Sequence, residues 1–419
     1  MLINYQFQKS VWAVGQGGFS SGVLRGSDGE VVYSYVYDCG SNQLNPLRRE
    51  IALAKTCCDK ISTVFLSHLD ADHVNGFDTL CQAFDQRIDE VVLPYLDQVT
   101  RYYLVSQAMV DGSASGLFLD FVIEPQAWIR ARLPNALITF LGSEENDGGN
   151  GEGAGLPPPD RPLEQSSGRQ PVIGDSRSAS KVGQFFGVQS GTSSSHSQHS
   201  WVAYRPSLTV IGESPLQLLA HLPPRNAVQL KAFSKALEDA GFDVLDEARL
   251  RNVLQDQKER VKLRDCYLEL AVDHNIVSMH LIVKSLVSVW NQVHPSSQFG
   301  RRTHRDKNGF GFLFSGDAKL KSSKYFKYWE KSYKDYLSSV TVFSLPHHGS
   351  TLSFNHKLLA ALPNASFIAQ SGENSHEHPG LHVRAAIELA KRAFHQVDED
   401  EEKRLTYSFS CFVKGGKLN

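Results

Sequence analysis

Long apolar runs are missing from this chain: no window approaches the roughly eighteen consecutive apolar residues that a membrane-spanning helix requires. The opening residues carry neither the basic stretch nor the apolar core of a secretory leader. Cysteine is sparse, with six residues, Cys39, Cys57, Cys58, Cys81, Cys266 and Cys411. They form no CxxC pair and show none of the spacing of a secreted disulfide scaffold, so reduced thiols are expected. An excess of charge of either sign is also lacking. The formal net charge of -2 excludes a globally basic nucleic-acid binder, while leaving room for a local basic face. These absences together describe a soluble, cytoplasmic protein that makes no use of a membrane.

What is present is enough chain, 419 residues, for a large core in two or three domains or one elaborated one. Val11 to Val14 and the run Val31 to Tyr37 read as strands, with Gly15-Gln16-Gly17-Gly18 between them as a glycine turn. A helix is expected over Pro46 to Lys60, then a strand ending at Leu66, a helix from near Val74 through Phe84, and a strand Val91 to Pro94. This alternation is that of a layered α/β protein. Tyr102 to Leu133 predicts one or two helices, and Ala136 to Leu141 a strand. Four segments follow: 1–141, the first half of the fold; 142–200, rich in Gly, Ser and Pro and read as a flexible insertion; 201–270, strands and added helices; and 271–419, the second half. In the third segment Leu230, Phe233 and Leu237 mark one helix, and Leu250, Val253, Leu254 and Val261 a second.

The chemistry concentrates at strand ends. Ser67-His68-Leu69-Asp70-Ala71-Asp72-His73 packs imidazoles and carboxylates into one short loop. His68 and Asp70, at alternate positions, can face one ion while Asp72 and His73 turn toward a second. Carboxylate with imidazole and no thiolate suits zinc, manganese or iron. Asp38, at the end of a strand before Cys39-Gly40, is either a turn residue or a carboxylate that orients a metal-bound group. Ser315-Gly316-Asp317 ends a later strand in an acid suited to bridging two cations. Pro346-His347-His348-Gly349-Ser350 offers a ligand and a proton-transfer partner, and Asn374 to Pro379 brings His378. His196 and His199, inside the insertion, read as loose surface histidines.

Taken in order, these motifs together with Asn275 and Ser278 resemble the metallo-β-lactamase superfamily, and most nearly the hydrolase domain of ComEC-type competence proteins. The resemblance implies a four-layer αββα sandwich, here with a low-complexity insertion and added helices. It implies a metal-activated water attacking an ester, amide or phosphoester, with one or two divalent ions, zinc or manganese. Carried onto this sequence, the metal ligands are His68, Asp70, Asp72, His73, Asp317 and His347. Asp72 is also counted with the catalytic groups, His348 and His378 are candidates for proton transfer or support, and Asp38, Asn275 and Ser278 brace the ligands. Asp70 stands where most of the superfamily has a histidine, a substitution the ComEC-type branch shares. The histidine usually found between the main motif and the bridging acid has no evident counterpart.

For substrate the expectation is a phosphodiesterase or nuclease acting on single-stranded nucleic acid or a small phosphoester. Arg301, Arg302 and Lys319 are its candidate phosphate contacts, within a basic string that continues through Lys321, Lys324 and Lys327. A solvated loop and an exposed helix face would give the same string. The alternatives are an ester, lactone or amide hydrolase, or a weakly catalytic metal-binding subunit of a bacterial multi-protein system that meets its partner through the insertion.

Overall fold

Tyr33, Tyr35 and Tyr37 alternate along one strand and so share one face, which is where the two sheets of the protein meet. In the computed structural model, which describes residues 2–112, 116–141, 201–202, 215–222, 227–243, 247–268, 278–286, 291–293, 309–372 and 377–414, that face is buried. The Tyr37 ring lies 5.4 Å from Phe314 of the opposite sheet, and its hydroxyl donates to the Met279 carbonyl at 2.6 Å. Phe7 stacks on Phe310 at 5.4 Å.

The first sheet begins with β1 (Leu2–Val11), β2 (Phe19–Arg25), β3 (Val31–Cys39), β4 (Ile61–Phe65), β5 (Ile88–Pro94), β6 (Leu137–Leu141) and β7 (Trp201–Val202). The second holds β8 (Leu216–His221), β9 (His280–Ser285), β11 (Gly311–Phe314), β12 (Val342–Ser344), β13 (Ser366–Gln370) and β14 (Phe394–Val397). Two further strands, β10 (Asn291–Val293) and β15 (Leu405–Lys414), complete the first sheet, in the order β10-β15-β1-β2-β3-β4-β5-β6-β7. The second runs β14-β13-β12-β11-β9-β8.

From β3 to β6 neighbouring strands are parallel, so helices must carry the chain back. The helix α1 (Leu44–Cys57) and the helix α3 (Phe77–Ala83), packed against each other, do this, with a single turn α2 (Ala71–Val74) between β4 and α3. β4 is buried along its whole length, as a strand covered on both sides must be. Three helices, α4 (Gln98–Asp111), α5 (Gly116–Ile123) and α6 (Pro125–Arg132), stand where one or two were expected. Gly112, at φ 72°, ends the first, and Pro125 opens the last.

The added helices are α7 (Ala227–Asp239), α8 (Glu247–Gln255) and α9 (Gln257–Leu268). The expected single helix through Val261 is thus two. Asp256 accepts from the backbone N–H groups of Lys258 and Glu259 at 2.7 and 3.2 Å, and this cap starts a new helix in a new phase. Val261 is consequently 42% exposed, and Leu263, Cys266 and Tyr267 are buried instead.

Three more helices lie among the described residues: α10 (Ser323–Leu337), α11 (Leu358–Ala361) and α12 (Leu381–Leu389). α10 covers the outer face of the second sheet, Trp329 against Phe343 at 6.1 Å and Tyr333 against His280 at 5.2 Å. Helix, sheet, sheet, helix is therefore the observed order of layers. The strand expected from Asn275 is β9, beginning at His280; Asn275 itself, the insertion with His196 and His199, and Arg301 and Arg302 lie outside the described residues. All six cysteines are free thiols, and no helix among the described residues is long and apolar enough to cross a membrane.

Candidate metal centre

The last residues of β4 run in the sheet up to Leu66, whose N–H donates to the Val92 carbonyl at 2.9 Å. Beyond it the chain leaves the ladder, carrying Ser67, His68 and Asp70 in an extended loop before α2 turns Asp72 and His73 back over the strand end. The turn is pressed against two other loops. Gly18 donates to the carbonyls of Gly40 and Asp72 at 3.1 and 3.0 Å. A Cβ on Gly18 would come within 2.6 Å of His73 Nδ1, and one on Gly40 within 2.5 Å of the Asp72 carbonyl carbon. Glycine at both places is what lets the backbones close around the motif.

Asp38 organises the imidazoles from behind. It is fully enclosed, with φ at 56°, and accepts from the Ser67 N–H at 2.6 Å, the Ser67 hydroxyl at 2.7 Å and His73 Nδ1 at 2.9 Å. Since the Ser67 hydroxyl gives its proton to Asp38, it accepts from His68 Nδ1, 2.8 Å away. His348 Nδ1 donates to the Gln370 carbonyl at 2.9 Å. With Nδ1 the protonated nitrogen in each ring, the network leaves the three Nε2 atoms as lone-pair donors. Those same three atoms are buried without a hydrogen-bond partner.

Asp317 arrives from the second sheet, at the end of β11. Its N–H donates to Ser278 Oγ at 2.9 Å, and Gly316 before it, at φ 49°, leaves no room for a Cβ, which would lie 2.2 Å from the same hydroxyl. Asp317 Oδ1 lies 3.3 Å from His73 Nε2 and 3.9 Å from His348 Nε2; Oδ2 lies 3.7 Å from His68 Nε2 and 3.8 Å from His347 Nε2. Asp72 Oδ2 lies 3.2 Å from His348 Nε2. Two donor groups result, His68, His73 and Asp317, and Asp72, His73 and His348, each with its donor atoms within 4.8 Å of one another.

The partition differs from the one drawn along the sequence. His68 joins His73 and Asp317 rather than Asp70, and His73 belongs to both groups. Asp70 is 37% exposed at the rim, its Oδ2 3.6 Å from His68 Nε2. Of the histidine pair, His348 enters a donor group and His347, 30% exposed, stands outside both. Consecutive left-handed residues, φ 49° and 54°, turn the two rings 73° apart. His378 stands beside them, its ring 5.3 Å from His347 and 6.3 Å from His348. Ser278 braces Asp317, while Lys319 is half-buried on the segment leading to α10. Gln370 was not singled out in the sequence, although it too ends a strand of the second sheet beside β12.

Burial and charge shape the titration of the cluster. Burial pushes His68 down to about 4, with the charge of His73 adding to the effect. At Asp72 burial opposes ionisation, but His73 and His348 outweigh it and hold the carboxyl at about 2. Burial would also lower His73, yet Asp317, Asp38 and Asp72 carry it well above the ordinary imidazole value. At the rim a partial loss of hydration, reinforced by the Asp72 and Asp317 carboxylates, lifts Asp70 to about 7. Converging carboxylates and oriented imidazole nitrogens, with no thiolate, form a donor set that fits a divalent cation.

No family model matches the chain, and no curated protein matches it. Among solved structures it is similar to the metallo-β-lactamase fold protein YhfI from Bacillus subtilis, at 9% identity and a TM-score of 0.34, over 97% of this chain and 99% of that one. Human tRNase Z, short form, is 10% identical with a TM-score of 0.35, over 93% and 92%. Unliganded yeast PDE1 is 10% identical with a TM-score of 0.35, over 96% and 99%.

Proposed function

We propose that the chain is a metal-dependent hydrolase of phosphodiesters, of the kind its sequence motifs resemble. One observation carries the reading: Asp317 sends one oxygen toward His73 and the other toward His68, while His73 also belongs to the group of Asp72 and His348. An acid whose two oxygens face opposite ways, Oδ2 toward His68 and Oδ1 toward His73 and His348, makes a frame for two cations, with the one free nitrogen of His73 able to serve either of them but not both, and such a frame suits in-line displacement at phosphorus. A divalent cation held there would lower the pKa of water and polarise a phosphoryl oxygen.

The chain's own groups supply the rest. Asp38, Ser67 and Gln370 fix the ring orientations. In this reading His347, partly exposed at the mouth and 3.4 Å by Nδ1 from Ser353 Oγ, with His378 beside it, takes up and hands on protons as the bond breaks, its imidazole held below the ordinary value by burial. Asp70, where ComEC-type hydrolase domains also carry an acid, lies 3.6 Å from His68 Nε2 but outside both donor groups, so the choice between manganese and zinc falls to the carboxylates and imidazoles inside them. The test is elemental analysis of the purified protein combined with a substrate panel of bis(p-nitrophenyl) phosphate, single-stranded DNA, RNA, an aryl ester and a lactone. Metal-dependent turnover of the phosphodiesters that disappears with the bound metal in Asp317→Asn is the expected result. Turnover of the ester or lactone alone, or full metal content and activity in Asp72→Ala, refutes it.

A further inference from the structure

The second sheet presents a charged surface that the metal centre does not use. On α10, Lys324, Lys327, Lys331 and Lys334 recur at i, i+3, i+7 and i+10; at 3.6 residues per turn these lie on one face, a row about 15 Å long. Lys321 extends the row toward Asp317. All are exposed, and among the described residues none of them forms an ion pair. The opposite side of α10 buries Phe326, Trp329, Tyr333 and Tyr336, so the lysines necessarily face out. Lys327, Lys331 and Lys334 line a groove of about 550 Å³ between α10 and α11, with Glu330 the acid on its described wall.

The groove is tied to the centre by the backbone. A second groove, about 580 Å³, lies across α11, with Leu359 lining it where Ala360 and Ala361 line the first. It is lined by Lys321, by Thr351 and Phe354 of the loop that follows His348, and by His382 and Ala386 of α12. Leu320 N–H donates to the Ser353 carbonyl at 3.1 Å and Asn355 Nδ2 to those of Leu320 and Lys321 at 3.0 and 3.1 Å, clamping the chain after Asp317 to the chain after His348.

We infer that this lysine row is a track for the phosphate backbone of a single-stranded nucleic acid leaving the metal centre along α10. The inference rests on the phosphodiesterase reading for the direction of the strand, but the track itself is a binding surface. Unpaired lysines at regular intervals match a chain of singly charged phosphates. The exposed Glu330 and Asp335 of the same helix form no ion pair with these lysines, which leaves the ammonium groups open to a polyanion.

The experiment is fluorescence anisotropy of the full chain with a labelled thymidine oligonucleotide of about twenty nucleotides, in chelator so that nothing is cleaved, across a salt series. Each neutralised phosphate adds roughly -0.7 to the slope of log K against log salt, so four or five contacts predict a slope near -3. Replacing Lys327, Lys331 and Lys334 together by alanine should flatten it by about 2 and weaken binding about a hundredfold at 0.1 M salt, while the triple arginine variant keeps the slope. Hydrolysis of bis(p-nitrophenyl) phosphate by the metal-loaded alanine variant should be unchanged. An equal slope in parent and alanine variant overturns the track, as does displacement of the oligonucleotide by polyglutamate as readily as by polyphosphate. Salt-dependent binding without turnover of any phosphodiester would instead refute the hydrolase reading and leave the track standing.

Discussion

Asp38→Asn is the most informative single change, because it alters the orientation of the metal ligands without touching any of them. Asp38 sits at φ 56°, a conformation asparagine tolerates where alanine is strained, so the backbone has no reason to move. The amide can still accept from the Ser67 N–H, but it loses the ionised oxygen that receives both the Ser67 hydroxyl and His73 Nδ1. His73 then has no anionic partner holding its proton on Nδ1, and the chain of bonds through Ser67 to His68 is broken. Loss of such a supporting group weakens metal binding tenfold to a hundredfold, about 1.4 to 2.7 kcal/mol. Removing hydrogen bonds to a buried charge also destabilises the metal-free fold by about 1 to 3 kcal/mol. Chelator competition measures the first quantity and thermal unfolding in chelator the second. A folded Asp38→Asn protein whose metal affinity lies within twofold of the parent would show that the Asp38 network does not set the ligand geometry.

Gly18→Ala should reduce metal affinity by at least about tenfold while the fold persists, since the new Cβ meets His73 Nδ1 at 2.6 Å in a loop with little room to retreat; metal titration and circular dichroism separate the two effects. His280, fully enclosed behind α10 and pushed by burial down to about 3, gives a pH prediction free of the metal site. The unfolded chain takes a proton there below its ordinary value of 6.5 and the folded one does not until about 3, so stability falls as pH drops between those limits, by about 1.4 kcal/mol per unit. His280→Phe, which preserves a ring against Tyr333, should remove one proton's share of that slope in denaturant titrations from pH 6.5 to 4, with His221 keeping its own; an unchanged slope would mean the imidazole is already protonated in the fold.

Local patterns in the chain reach a long way toward this structure. The β-branched and aromatic run at Val31 announces β3, and the helix expected over Pro46 to Lys60 is α1, shifted by two or three residues at its ends. The departures have local causes that periodicity does not register. Asp256 caps a new helix in a stretch whose apolar spacing reads as continuous, and Gly112 and Pro125 divide a segment that is apolar throughout. The polar clusters at Ser67, Ser315 and Pro346 were legible as strand-end chemistry. Which histidine of the pair 347–348 joins the donors was not, because two adjacent left-handed residues are held by partners far away in sequence, the Gly316 carbonyl at His347 N–H and the Gln370 carbonyl at His348 Nδ1.

By itself, the sequence determined the kind of chemistry available: imidazoles and carboxylates without thiolates, delivered by short loops at the ends of apolar strands. Those are properties of neighbouring residues, and neighbours in the chain stay neighbours in the fold. The partition into two donor groups sharing His73 and the retreat of Asp70 and His347 to the rim were decided only by tertiary structure. Each depends on where β4, β11, β12 and β13 end relative to one another, and that is set by sheet pairing across hundreds of residues rather than by any local preference.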